Sequence, residues 1–315
     1  MKIGVDILGG DYAPQATLKG IMLAYEEFGN DCTFVLIGNE EEMKAALTKE
    51  NFPIDKVEFF HAPDGITMSS SPVKSIASSP HSSIVKGFDL LADGTIDGFC
   101  SAGNSGSMLV GSVMKLGLLR EDLRPCLLSI LPNVAGQDGI LLDVGANADC
   151  KPENLLDFAI LGSTYAEVHL KINDPKVGLV NIGEEPEKGN QLSIASHKLM
   201  AEYKKITFIG NLEGRELFDG KADVAVCSGF VGNVILKMAE KFYELAMRKG
   251  LKDDPFYSKM NYERHGGSPV LGVNKTVVVG HGISSPLAIK NMVKLTKELV
   301  EENFVAKLKE AIPNA

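Results

Sequence analysis

A chain of 315 residues, 44% hydrophobic and 23% charged, can bury a sizeable core as one large domain or as two lobes. Its net charge of −9 is opposite to that of a general nucleic-acid binder, so no nucleic-acid partner is expected. No apolar run approaches the roughly 20 residues that span a bilayer. The opening Met1-Lys2-Ile3-Gly4-Val5-Asp6 meets charge at once and does not read as a signal peptide, so a cytoplasmic protein is expected. Cys32, Cys100, Cys126, Cys150 and Cys227 are odd in number, scattered and without a C-x-x-C pair. They read as small buried hydrophobes rather than disulfides, nucleophiles or metal ligands.

Strand and helix signals then alternate along the chain. Lys2–Leu8 reads as a strand and Ala13–Phe28 as an amphipathic helix. Cys32–Ile37 and Lys56–His61 are the next strands, with a helix at Glu40–Glu50 between them. A Ser/Pro-rich loop, Ser69–Ser79, leads to a helix at Ser82–Ala92, a short strand at Gly98–Ser101 and a helix at Gly106–Leu116. Two apolar runs follow, Cys126–Leu131 and Gly139–Val144. The helix Glu153–Leu170 precedes the strand Val177–Ile182, and Leu192–Tyr203 precedes Ile206–Ile209. The strand Asp223–Cys227 comes next, then a helix from about Val234, a last strand at Thr276–Val279 and a final helix at Ser285–Ala311. This order predicts an α/β fold of three layers, α/β/α, with a mostly parallel sheet covered on both faces. Residues 1–315 are expected to form a single domain, with room for two lobes around a cleft. No strand signal interrupts Val234 to about Tyr262, and Gly250 with Asp253-Asp254-Pro255 supplies a turn, so residues 233–265 read as a protruding helical hairpin.

Glycines gather where strands end. The loops are Gly9-Gly10-Asp11, Ser101–Gly106, Gly145-Ala146-Asn147-Ala148-Asp149, Asn181-Ile182-Gly183, Gly210-Asn211, Ser228–Asn233 and His281-Gly282. Any one of them is explained by turn formation alone. Seven, nearly all passing into helices at the carboxyl ends of strands, favour a phosphate-type ligand. The usual nucleotide fingerprints are missing: neither G-x-G-x-x-G after a strand nor G-x-x-x-x-G-K-[ST] occurs. There is no H-E-x-x-H, and the six histidines lack ligand spacing. Ser105 lies in Gly-Asn-Ser-Gly rather than G-x-S-x-G and reads as the N-cap of the helix that follows.

Three polar clusters remain. Asn181–Asn190 closes a strand and opens a helix, which sets Lys188 beside free N–H groups. Asn233 and Lys237, four apart at a helix start, share a face, so Lys237 can aim its ammonium back at an anion or simply stand in solvent. Asp143–Pro152 carries a carboxylate at a strand end, where Asp143 either orients an amide or lysine or anchors the loop.

At these clusters the sequence closely resembles the acyl-carrier-protein:phosphate acyltransferases of bacterial phospholipid synthesis. The resemblance covers nearly the whole chain. It runs through Gly9-Gly10-Asp11, Ser101–Gly106, Leu142–Pro152, Asn181–Asn190, Gly210-Asn211-Leu212-Glu213-Gly214-Arg215, Asp223–Lys237, and His281-Gly282 with Ala288-Ile289-Lys290-Asn291. It implies a fold similar to isocitrate and isopropylmalate dehydrogenases and to phosphotransacetylases. It also implies a homodimer that is peripheral at the inner face of the membrane, and an acyl phosphate product passed to a membrane acyltransferase. Acyl-carrier protein and inorganic phosphate are the implied substrates; no cofactor and no metal are expected. The sequence departs from the family in having Ser228 where aspartate is usual, Ser105 where threonine is usual, and a shorter hairpin.

Phosphate is a competent nucleophile and a thiolate a fair leaving group, so the protein needs only to position the reactants and stabilise charge on the thioester oxygen. The expected catalytic set is Lys188, Asn233, Lys237 and His281, with Lys188 and the Gly103–Gly106 turn on phosphate and the others near the acyl carbonyl. For His281 a hydrogen bond within its loop is the plainer role. Gly103, Asn104, Ser105, Gly106, Asp143, Asn147, Asn190 and Arg215 are the expected substrate-binding residues. On the hairpin, Ile235, Met238, Phe242 and Leu245 form a helical stripe suited to core or dimer packing. Leu251, Phe256, Tyr257 and Met260 near its tip are the expected membrane or carrier contacts. Seven basic residues (237, 241, 248, 249, 252, 259, 264) face five acidic ones (240, 244, 253, 254, 263) over this stretch, a balance that suits anionic lipid or an acidic carrier as well as plain solvation. The rival readings are a phosphotransacetylase-like enzyme using acyl-coenzyme A, a non-catalytic phosphate- or carrier-binding module, and, by fold analogy alone, a metal-dependent dehydrogenase.

Overall fold

A computed structural model describes residues 1–313. The first part of the chain forms β1 (Lys2–Asp6), α1 (Gln15–Phe28), β2 (Thr33–Gly38), α2 (Glu40–Lys49), β3 (Glu58–His61), α3 (Pro72–Ser78), α4 (Ser83–Ala92), β4 (Gly98–Ser101) and α5 (Ser105–Gly111). The middle adds β5 (Cys126–Pro132), β6 (Asp138–Leu142), α6 (Pro152–Val168), β7 (Lys176–Asn181), α7 (Gln191–Glu202), β8 (Thr207–Glu213), β9 (Val224–Val226), α8 (Gly229–Arg248) and α9 (Pro255–Lys259). The remainder holds α10 (Tyr262–His265), β10 (Ser268–Leu271), β11 (Thr276–Val279), α11 (Pro286–Glu301) and α12 (Phe304–Ala311). The chain divides into two compact units, one of residues Met1–Gly117 with Tyr262–Val305, the other of Leu118–Asn261 with the segment from Ala306 onward.

In the first unit the strands run in the order β3-β2-β1-β4-β11-β10. All are parallel except β10, which lies antiparallel to β11. Alternation along β4 separates the helical layers. A Cβ on Gly98 would lie 2.8 Å from Thr296 of α11, whereas Gly87 of α4 sits so close to the next residue, Phe99, that a Cβ there would be 2.2 Å from its ring. Adjacent strand residues point to opposite faces, so α11 and α4 cover opposite sides. Phe88 and Phe99 meet edge-on at 5.2 Å in the α4 layer.

In the second unit the order is β5-β6-β9-β7-β8, with β6, β9, β7 and β8 parallel and β5 antiparallel to β6. Gly162 of α6 approaches Val224 and Leu142, and α7 packs beside α6. Leu141 and Ala225, which face the other way, pack with Ile235 and Leu236 of α8. Each unit is therefore a mostly parallel sheet with helices on both faces. Each also collects the carboxyl ends of its parallel strands at one edge, and those edges carry the glycine-rich loops.

Several elements depart from the sequence expectation. The loop Ser69–Ser79 contains α3, which Pro72 opens at a position where a missing N–H costs nothing. The strand β10 was not anticipated: it is four residues long and carries Pro269. The helix expected at Gly106–Leu116 is α5 followed by a π-helical turn at Ser112–Leu116. The helix expected over Ser285–Ala311 breaks into α11 and α12 at Asn303, whose φ of 50° is left-handed. The helix expected from Val234 starts earlier, at Gly229, behind the N-cap Ser228. Residues 233–265 hold no strand; α8 ends at Arg248, and α9 and α10 follow the turn at Gly250. Among the described residues no helix is long and apolar enough to cross a membrane.

Candidate active site

At the edge of the first unit, Asp6 ends β1 inside the protein, 1% exposed. Its carboxylate accepts from Leu8 N at 3.0 Å and from Ser101 Oγ at 2.6 Å, and Ser101 Oγ accepts from Gly103 N at 2.9 Å. Burial raises the Asp6 pKa, opposed mainly by the Ser101 hydroxyl. Gly9 is required by space: a Cβ would lie 2.6 Å from both Asp6 Oδ2 and Ser101 Oγ. The loop after β1 meets the loop after β11 through Asp11 N, which donates to Gly282 O at 2.7 Å. His281 joins this group, its ring edge-on to Tyr262 at 5.0 Å. Asn104 draws in the Thr67–Ser70 loop, since its Nδ2 lies 2.9 Å from Met68 O and 3.2 Å from Thr67 O and Ser70 O.

Asn104 Oδ1 also accepts from Ser107 N at 2.9 Å. Asn104, not Ser105, is therefore the N-cap of α5. Its amide is tied up within the protein, while Ser105 stands exposed at the first helical position and Gly106 packs against Pro72.

In the second unit Asp143, fully buried, follows β6. Its Oδ1 accepts from Leu127 N (3.1 Å), Gly145 N (3.2 Å) and Ala146 N (3.0 Å), and its Oδ2 from Asn147 N (2.6 Å) and Asn147 Nδ2 (2.9 Å). That is the loop-anchor role, with both oxygens committed. Asn147 is likewise structural, its Nδ2 also donating to Pro125 O at 2.8 Å. The start of α8 locks onto the same loop. Gly229 N donates to Asn147 O at 2.8 Å, a Cβ on Gly232 would lie 1.9 Å from Asp143 O, and Asn233 Nδ2 donates to Val144 O at 3.2 Å. Asn233 is exposed, and an amide nitrogen carries two hydrogens, so one of them is left to face outward.

The loop between β7 and α7 carries Lys188. Asn181 Nδ2 donates to Lys188 O at 3.0 Å, Lys188 N to Glu185 O at 3.0 Å, and Asn211 Nδ2 to the same Glu185 O at 2.8 Å. Gly189, at φ 97°, approaches Asn181 too closely for any side chain. Asn190 caps α7 through Ser193 N at 2.9 Å, so its oxygen is in use. Lys221 holds Glu184 at 3.0 Å and Glu216 at 2.7 Å. The Lys188 ammonium is exposed and has no ion pair among the described residues.

Other expected site residues are placed differently. Lys237 does not reach back towards the helix start; it pairs with Glu240, one turn further on, at 2.8 Å. Arg215 is exposed and paired with Glu213. Phe256 and Tyr257 are not a free apolar tip: Phe256 meets Phe218 edge-on at 5.8 Å, and Tyr257 and Met260 are half-buried. Leu251 is exposed. The larger exposed apolar set lies on α8, where Val231, Val234, Met238, Phe242 and Leu245 recur at helical spacing. Burial raises the pKa of all five cysteines, Cys32 to about 11 and Cys100 to about 12, which leaves them protonated at neutral pH. Among the described residues no group of three or more His, Cys, Asp or Glu is placed to hold a metal ion. Sequence reading passed over Asp6, Asn181, Asn211 and Lys221. For Asp6 and Asn181 the signal was position, a polar residue ending a strand; Asn211 lies inside β8 and Lys221 between β8 and β9, where the sequence offers no such signal.

A family described as "Fatty acid synthesis protein" matches residues 1–307. The chain is 40% identical over 331 aligned residues to a phosphate acyltransferase of Halothermothrix orenii, covering 99% of this chain and 98% of that protein. Its fold is similar to that of a phosphotransacetylase from Streptococcus pyogenes (TM-score 0.66, 16% identity, 96% of this chain and 94% of that one). It is also similar to that of 4-hydroxythreonine-4-phosphate dehydrogenase from Klebsiella pneumoniae (TM-score 0.54, 11% identity, 95% and 98%). At these identities the two structural likenesses speak to fold alone.

The five bonds to Asp143 make a stability prediction. Asp143→Ala should lower the unfolding free energy, measured by urea denaturation, by at least about 3 kcal/mol. Ser228→Ala, which removes only a long cap bond, should cost about 1 kcal/mol. Equal, small losses from both would show that the carboxylate does not order this edge.

Proposed function

The chain belongs to the fatty acid synthesis protein family, and on that premise we propose that it transfers a long-chain acyl group from acyl-carrier protein to inorganic phosphate. A phosphate oxygen attacks the thioester carbonyl carbon, the carbon–sulfur bond breaks, and the thiolate leaves to take a proton from solvent. The products are acyl phosphate and free carrier protein. The observation that carries this reading is Lys188: an exposed ammonium without an ion pair among the described residues, on a loop whose backbone Asn181 and Asn211 hold and whose Glu184 pairs with Lys221. In this reading Lys188 holds phosphate, and the outward hydrogen of Asn233 Nδ2 serves the carbonyl oxygen, where charge develops. His281 supports its own loop. Lys237, paired with Glu240, has no part in it. No side chain is required as a general acid or base, since the nucleophile is already ionised at neutral pH and the leaving thiolate is only moderately basic.

The assay is phosphate-dependent trapping of acyl phosphate by hydroxylamine, with palmitoyl-carrier protein and palmitoyl-coenzyme A as alternative donors. Hydroxamate should form with the carrier-protein donor, and Lys188→Ala should reduce the rate about a hundredfold while the protein stays folded. Product from coenzyme A alone would favour the phosphotransacetylase-like alternative. No product from either donor would leave a binding module.

An acyl phosphate carries a long apolar chain, so its consumer is proposed to be a membrane acyltransferase, with this protein peripheral at the inner face of the membrane. Two surfaces support an assembly of that kind. The exposed stripe Val231, Val234, Met238, Phe242 and Leu245 is flanked by the ion pairs Lys237–Glu240 and Lys241–Glu244, a mixed-charge rim that suits a second copy in a homodimer. Leu251, between exposed Lys249 and Lys252, is the proposed contact for anionic lipid or acidic carrier. Sedimentation should show a dimer that Met238→Glu with Phe242→Glu converts to monomer; an unaffected dimer would place the subunit contact elsewhere. Flotation with anionic liposomes should be weakened by Leu251→Glu, and identical flotation of wild type and variant would remove that contact.

A further inference from the structure

The edge strand β8 is irregular for a reason that leads back to Lys188. Val177 pairs with Phe208, but the next aligned pair is Leu179 with Asn211. Strand β8 therefore advances three residues while β7 advances two, which is a bulge. The extra residue is taken up near Gly210, whose φ of 98° lies in the left-handed region. A Cβ on Gly210 would meet nothing within 4 Å, so glycine is needed there for its conformation and not for space.

The bulge decides where Asn211 points. In a regular strand Phe208 and Gly210 would share a face and Asn211 would lie on the other. With one residue inserted, Asn211 joins Val177, Leu179 and Phe208 on the face that α7 covers, where the His197 ring meets Phe208 at 5.1 Å. There Asn211 is 3% exposed. Its Nδ2 donates to Glu185 O at 2.8 Å, and its Oδ1 is buried with no protein partner. A buried acceptor without a partner is unfavourable, and an apolar side chain of the same shape would avoid it. What the amide offers in return is its donor. The carbonyl that takes that hydrogen, Glu185 O, also accepts from Lys188 N at 3.0 Å.

We propose that Asn211 is a positioning residue for Lys188: the Gly210 bulge turns the Asn211 amide onto Glu185 O, and that carbonyl fixes the backbone from which the phosphate-binding ammonium projects. The inference rests on the reading of Lys188 given above. It assigns Asn211 no contact with substrate; it acts through one shared carbonyl.

The test measures KM for inorganic phosphate and kcat with the full chain, using Asn211→Leu, Lys188→Ala and the double variant. Asn211→Leu keeps the side-chain volume and loses the donor. It should raise KM for phosphate about tenfold, since small misplacements of a binding group are costly, and should leave KM for the acyl donor unchanged. In the Lys188→Ala background the same change should add nothing, because the group it positions is gone. Wild-type KM for phosphate in Asn211→Leu, or an equal penalty in both backgrounds, overturns the inference while Lys188→Ala remains impaired. Normal KM for phosphate in Lys188→Ala overturns the Lys188 reading and the inference together. Gly210→Ala serves as a second probe that keeps the amide and disturbs only its aim. It should also raise KM for phosphate, and if Asn211→Leu does not fold, an unaltered KM in Gly210→Ala overturns the proposal.

Discussion

Where a parallel strand ends, the turn that leaves it must find partners for backbone groups that no ladder serves. In this chain buried side chains supply them. Asp143 takes three backbone N–H groups from Gly145, Ala146 and Asn147 and a fourth from Leu127. In the first unit Asp6 and Ser101 form a shorter relay that ends on Gly103 N. Asn104, Asn181 and Asn211 serve the opposite backbone group, each holding carbonyl oxygens through its amide nitrogen. The glycines follow from this arrangement. Gly9, Gly229 and Gly232 lie against these very atoms, where a Cβ has no room.

The consequence for chemistry is a sorting of charge. Two carboxylates at these edges, Asp6 and Asp143, point inward and are bound. Glu184, in the Lys188 loop, is drawn off by Lys221. On a chain of net charge −9 the pairing of Glu184 matters, because exposed charges act mainly within about one Debye length, roughly 8 Å at physiological salt. Besides the carboxylates of Glu185 and Glu187, this loop exposes the Lys188 ammonium, and the start of α8 on the same sheet edge exposes the Asn233 amide. The ammonium and the amide are the groups that a reaction between a phosphate ion and a thioester uses, and neither has to give or take a proton.

Much of this architecture was legible in the residues. The near-continuous apolar runs Leu141-Leu142 and Val277–Val279 read as strands buried on both faces and are so. The polar loops fall at strand ends, except Gly210-Asn211, which was expected to follow a strand ending at Ile209 but forms the bulge inside β8. Short or mixed signals were lost: β10 carries a proline, and α3 lies in a stretch of serines whose only helical cue is Pro72. The break between α11 and α12 depends on one asparagine tolerating a left-handed φ, a choice no periodicity reveals. Side-chain roles were less legible than positions. Lys237 has a carboxylate three residues ahead as well as a helix start behind it, and spacing alone does not say which it joins. Phe256 looked like a tip residue because its partner, Phe218, is 38 positions away in the chain. Asn211 could not be placed at all without the bulge, since a one-residue shift in a strand moves every later side chain to the other face.

The account turns on phosphate sitting against Lys188, and a crystal of the full chain soaked in inorganic phosphate tests that most directly. It predicts an anion within hydrogen-bonding distance of the Lys188 ammonium, lost in crystals of Lys188→Ala, with the Glu185 carbonyl still held by Asn211. Phosphate bound at another strand end, with Lys188 extended into solvent, would contradict it.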